Sequence, residues 1–167
     1  MITAEQLISY LNLKPLPQEG GYYTETYRSH ELIPVDALPD EYKGVRSHIT
    51  AIYYLLTPDT FSAIHRIPSD EIFHFYLGDP VEMLQLFPDG SGKVIILGSD
   101  ILNGQHPQVV VPGEVWQGAR LIPGGSFALM GTTVAPGFDF ADYEAGLRDQ
   151  LVSGFHKYRE MIERLIR

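Results

Sequence analysis

Turn chemistry at short, regular intervals constrains this chain more than any other feature. Between residues 46 and 131, strand-like runs at 47–57, 61–67, 71–77, 81–87, 93–97, 108–111, 115–121 and 126–130 are punctuated by PD, PSD, GDP, PDGSG, GSD, PGE and IPGG. Pro presets φ in these separators and Gly supplies positive φ, so the chain is set to reverse direction. No helical periodicity falls between the runs. Successive strands without crossover helices pair antiparallel, which predicts a sandwich or barrel rather than a parallel α/β sheet. The expectation is a mainly β protein, a jelly roll in form.

The two ends read differently. Thr3-Ala4-Glu5-Gln6 has the spacing of a capping box, followed by Leu7, Ile8 and Leu11 on one face. Pro15 and Pro17 lack the amide donors that a longer helix would need. A strand is predicted over 22–28 (YYTETYR), and 29–45 reads as a polar loop. Near the C-terminus Leu147, Leu151, Phe155, Tyr158 and Ile162 recur at steps of four, four, three and four, a helical apolar stripe. Glu160 with Arg164, and Glu163 with Arg167, have the spacing of favourable i,i+4 pairs. A single domain over 1–167 is expected, with core strands over about 20–131 and an amphipathic helical segment over about 142–166.

Charge and composition narrow the partners. A net charge of −9 repels the phosphate backbone, which argues against nucleic acid. The longest apolar run, residues 51–56, is far below the roughly 18 residues a membrane span requires, and the start MITAEQLISYLNL has no basic leader. The sequence contains no cysteine, which suits a reducing compartment. Together these predict a cytoplasmic protein without a membrane partner.

Chemistry-bearing side chains concentrate in residues 59–78, DTFSAIHRIPSDEIFHFYLG, and residues 110–117, VVPGEVWQ. His65 and Glu71 stand on successive strand-like runs joined by Pro68-Ser69-Asp70. Strict alternation puts Glu71 and Phe73 on one face and Ile72, His74 and Tyr76 on the other, so His74 shares the Glu71 face only if a bulge re-aims it. Trp116 and Gln117, directly after the PGE turn, are expected at a pocket rim. The sequence has no phosphate-binding G-x4-G-K-[ST], no G-x-S-x-G elbow and no cysteine nucleophile. Glu19-Gly20-Gly21 and Pro123-Gly124-Gly125 read as turns.

The first of these stretches resembles a defining motif of the cupin barrels, G-x5-H-x-H-x3-4-E-x6-G. Asp59 stands at the first Gly, His65 at the first His, Ile67 at the second His, Glu71 at the Glu and Gly78 at the last Gly. The second cupin motif, G-x5-P-x-G-x2-H-x3-N, is matched only by Pro112, with Gln117 in place of the His. The phrases GGYYTETYRS, IYYLLTPDTFSAIHRIPSDEIFHFYLGDP and APGFDFADYEAG extend the resemblance over most of the chain, to an uncharacterised family of RmlC-like cupins. It implies a jelly-roll barrel, a homodimer, and a cavity that His65, Glu71 and Gln117 enter together.

In metal-binding cupins, two histidines and a Glu of the first motif and a His of the second hold one divalent ion. By position this chain offers His65, Ile67, Glu71 and Gln117, so no tightly held metal cofactor is expected. Any divalent ion would rest on His65, Glu71 and Gln117. By analogy with metal-free sugar epimerases of the same superfold, the resemblance implies binding of a small polar metabolite such as a sugar derivative. His65 would be the base, Glu71 would orient it, and a tyrosine would serve as acid. A metal-dependent oxygenase or isomerase, and a non-enzymatic binding or sensor protein, are alternatives that use the same pocket.

Overall fold

A computed structural model describes residues 2–167. Two antiparallel sheets lie face to face. The larger runs in the order β1 (Lys14–Pro15), β2 (Tyr22–Arg28), β5 (Thr50–Leu56), β12 (Ala128–Ala135), β7 (Asp70–Gly78) and β10 (Gln108–Val111). The smaller runs β13 (Glu144–Ala145), β6 (Phe61–Arg66), β11 (Trp116–Leu121), β8 (Val81–Leu86) and β9 (Gly92–Leu97). A short ribbon of β3 (Leu32–Ile33) and β4 (Arg46–Ser47) interrupts the loop expected over 29–45. Helix α1 (Ala4–Tyr10) precedes the strands, and α2 (Arg148–Gly154) and α3 (Arg159–Arg164) follow them. This is the mainly β architecture that the turn spacing predicts, with its α-helices at the two ends and short 3-10 turns at Val35–Ala37 and Ile101–Asn103 between strands.

The period-two alternation of strands explains why so many of them are apolar on both faces. On β8, Val81 and Met83 enter the core between the sheets with Tyr54, Phe73, Ala119 and Met130, whereas Leu84 and Leu86 pack under the C-terminal helices with Leu151, Ile162 and Leu165. On β5 and β12 the outward Leu55 and Leu129 meet Leu7 of α1 and Leu13. Each sheet therefore has its outer apolar face covered in part by terminal helix. The capping box forms as predicted: Thr3 Oγ1 accepts from Gln6 N at 3.3 Å and Thr3 N donates to Gln6 Oε1 at 3.0 Å.

Three expectations are corrected. Strand β12 runs to Ala135, past the end expected at 130, because Gly131 is not a turn residue. Its missing side chain admits the Tyr76 ring, with which a Cβ would collide. The continuous helix expected over about 142–166 is broken. Residues 142–147 hold the end of a 3-10 turn and β13, which pairs with β6, and Leu147 is exposed at the start of α2. Phe155, at φ −133° and ψ 55°, ends α2 after Gly154, and a 3-10 turn over His156–Tyr158 leads into α3. The apolar stripe survives the break, since Leu151, Phe155, Tyr158 and Ile162 share one cluster. The predicted i,i+4 pairs do not: Glu163 binds Arg148 across the two helices and approaches Arg159 at 3.9 Å, while Arg167 lies over the Phe61 ring at 5.5 Å.

Candidate functional site in the barrel

A cavity of about 420 Å³ opens between the sheets. Its polar lining is Glu19, Thr50, His65, Glu71 and Thr132, joined by Glu25, Arg28 and Asp139; Tyr23, Ile52, Ile67, Val134, Phe138 and Phe140 are among the residues that supply apolar wall.

His65 is 3% exposed and sits on β6 opposite Gln117 of β11. Its Nδ1 lies 2.7 Å from the Ala63 carbonyl oxygen, an acceptor with no proton to give, so Nδ1–H donates and the neutral ring keeps its lone pair on Nε2. Nε2 faces Glu19 Oε2 at 3.7 Å, beyond hydrogen-bond length. The ring stacks on Tyr143, with centroids 5.0 Å apart and planes 18° apart. The Tyr143 hydroxyl is buried without a hydrogen-bond partner among the described residues, and burial pushes its pKa well up, so it stays a neutral wall behind the imidazole.

Glu71, near the start of β7, comes from the opposite sheet. Gln117 Nε2 donates to its Oε2 at 2.6 Å. Burial raises its pKa first and the nearby Glu19 charge adds to that; His65, Thr132 and Gln117 pull the other way and lose. The carboxyl is therefore held toward its protonated form relative to an ordinary Glu.

Glu19 was not among the expected site residues. The Glu19-Gly20-Gly21 stretch is indeed a turn, with φ of +105° at Gly20 and +70° at Gly21, conformations that favour glycine. That turn also delivers a carboxylate to the cavity. Ala63 N donates to the Glu19 carbonyl at 2.8 Å, Tyr54 Oη to the Gly20 carbonyl at 2.9 Å, and Ser62 Oγ to Glu19 Oε1 at 2.7 Å. Oε2 is left turned toward His65. The one sequence signal was an acidic residue in a glycine turn between apolar segments, which carries no information about which strand the turn will meet.

The remaining predicted residues divide. Gln117 is buried and acts from behind, holding Glu71 without lining the cavity. Trp116 is not at the rim. Adjacent strand residues face opposite ways, so with Gln117 inward the indole points outward, packs against the C-terminal helices and carries the Arg66 guanidinium 4.6 Å above its ring. His74 lies on the outer face of the larger sheet, with Nδ1 3.3 Å from Gln108 Nε2 and Nε2 3.4 Å from Thr133 Oγ1. The β7–β12 register does shift, but between Leu129 and Met130, opposite Leu77 and Phe75, too far along to re-aim His74. Nor does Glu71 orient His65: the Ala63 carbonyl does.

The four positions that hold a divalent ion in metal-binding cupins do not fit one here. Ile67 has no donor atom, and the Gln117 amide is engaged through its NH2 with Glu71, leaving one imidazole and one carboxylate. Among the described residues no three His, Asp or Glu side chains are grouped to hold a metal ion.

Two sheets closing over a polar cavity, with a His from one and a Glu from the other, define a cupin-type barrel. The chain belongs to the family described as "Cupin superfamily (DUF985)", which matches residues 5–146. It is similar to the uncharacterized protein YML079W of Saccharomyces cerevisiae, 35% identical over 134 residues that cover 75% of this chain and 67% of the yeast protein. Among solved structures it resembles a hypothetical protein from Leishmania major (29% identity, TM-score 0.88, 99% of each chain). It also resembles protein SO0799 from Shewanella oneidensis (29% identity, TM-score 0.87, 100% of this chain and 99% of that one). Cupins include enzymes and binding proteins, so the family leaves the chemistry to the site. No helix among the described residues is long and apolar enough to cross a membrane.

Proposed function

We propose that the barrel binds a small polar metabolite, such as a sugar derivative, and that His65 Nε2 accepts a proton from it without the help of a metal ion. The observation that carries this reading is the Nδ1–Ala63 hydrogen bond, which leaves Nε2 as the basic atom on the cavity wall. A cavity of about 420 Å³ accommodates a ligand of that size. In an isomerisation or epimerisation, Nε2 takes the proton from a carbon beside a carbonyl and the electron pair moves onto the carbonyl oxygen. Return of a proton to a neighbouring carbon, or to the other face, completes the reaction. Glu19 lies where it stabilises the imidazolium formed. Glu71, biased toward its protonated form, and Tyr23, which lines the same cavity, are the available donors to the oxygen.

Incubation with hydroxy-carbonyl sugars in deuterated water tests the step. Deuterium should enter the carbon beside the carbonyl with the native chain and not with His65→Asn; exchange that persists in the variant contradicts the role given to His65.

A homodimer is part of the same proposal, supported by the exposed Tyr76 and Val110 beside His74 on the outer face of the larger sheet. The absence of cysteine supports a reducing, cytoplasmic setting.

A further inference from the structure

The cavity wall is acidic. Glu19, Glu25, Glu71 and Asp139 line it against two groups able to carry positive charge, Arg28 and His65. Arg28 is already committed. Its Nε donates to the two Glu25 oxygens at 3.0 and 3.2 Å, and its Nη2 to Glu25 Oε2 at 2.8 Å and to the Phe138 carbonyl at 3.1 Å. An anion entering here would have to displace that charge-assisted fork and then face Glu19 and Glu71 further in. The inner pair is held in place rather than loosely exposed: Ser62 and the Ala63 amide fix Glu19, and Gln117 fixes Glu71, itself 8% exposed. Burial first, and the Glu19 charge second, raise the Glu71 pKa, which accords with the acidic lining.

Building on the proposed function, we infer that the cavity selects a neutral or cationic ligand rich in hydrogen-bond donors, with an amino group preferred at the Glu19–Glu71 end, and turns away carboxylates and phosphates. Glu19 and Glu71 share one poorly screened cavity, and repulsion between their charged forms adds to burial in holding Glu71 toward its protonated state. A ligand ammonium between them relieves that repulsion, and a second anion adds to it. Hydroxyl groups satisfy the same acceptors without the charge, which ranks neutral polyols between amines and acids.

Glucosamine, glucose, glucuronic acid and glucose 6-phosphate present one skeleton with four charge states. Titration of the full chain with each at millimolar concentration, read by NMR at the His65 imidazole and the Gln117 side-chain amide, tests the assignment. The amine should bind at least about tenfold tighter than the acid or the phosphate. Glu19→Gln should narrow that ratio to within about threefold. Asp139→Asn, at an exposed position that does not threaten folding, should narrow it by about twofold.

An acid or phosphate that binds as tightly as the amine overturns the inference. So does a ratio unchanged in both variants, or an amine that leaves His65 unperturbed. The two levels fail separately. A co-purified ligand that needs His65 but is anionic removes the charge assignment alone, and one indifferent to His65 removes the proposed function.

Discussion

A backbone carbonyl, not a carboxylate, fixes the tautomer of His65. The Ala63–His65 contact lies within β6, and the imidazole lines the cavity. His65→Ala should therefore cost about 1–2 kcal/mol of stability, against about 2–5 kcal/mol for Leu151→Ala in the packed cluster under the C-terminal helices, as measured by urea unfolding. Equal losses would make His65 a core residue.

Glu71 makes the opposite kind of demand. A carboxyl whose folded pKa is raised costs nothing while both folded and unfolded chains hold the proton. Stability is then lost as pH rises through the raised folded value. Glu71→Gln removes that loss and keeps an acceptor for Gln117. The variant should match the native chain in stability at about pH 4 and exceed it at about pH 7. A native chain whose advantage over the variant grows with pH would reverse the sign assigned here. At this scale motif spacing anticipated that His65 and Glu71 line one cavity, whereas Gln117, expected to enter it with them, stands behind Glu71. Spacing could not place Glu19, whose address depends on a turn meeting β6 through the Ala63 amide and Ser62, and it put Trp116 on the cavity side although alternation with Gln117 forbids it.

Among the elements, the segment after β12 determines how the cavity is walled. Phe138, Asp139 and Phe140 line it, Tyr143 backs His65, and β13 closes onto β6. One buried ion pair locks this strap: Arg46, on β4, donates through Nε to Asp142 Oδ2 at 2.7 Å and through Nη2 to Oδ1, with side chains 4% and 3% exposed. Removing one partner strands the other charge, so Asp142→Ala should cost about 3–5 kcal/mol in urea unfolding and weaken ligand binding with it. A loss below about 1 kcal/mol would mean that the strap is held by its strand pairing alone. None of this was visible in a reading of helical periodicity, which extended a helix back to 142. Strand β13 is two residues long, too short for any periodic signal, and only the tertiary partner β6 makes it a strand. The apolar stripe beyond 147 was read correctly because burial follows spacing even where the helix breaks at Phe155.

For the molecule as a whole, the architecture was legible because turn chemistry is local: each Pro or Gly separator specifies its own reversal, and antiparallel sheets follow from a succession of reversals. Partner surfaces are not local in that way. The exposed outer face around Tyr76 and Val110 predicts a homodimer, so light scattering should give twice the mass of 18.7 kDa, and Tyr76→Lys should shift it toward the monomer. A monomer at high concentration would refute the pairing.

The central claim, a metal-free ligand site organised on His65, is tested most directly by native mass spectrometry of the freshly purified chain. A noncovalent adduct of metabolite mass should survive chelator treatment and be absent from folded His65→Ala. Failure to find an adduct, one retained by that variant, or a metal mass removed by chelator together with the ligand would contradict it.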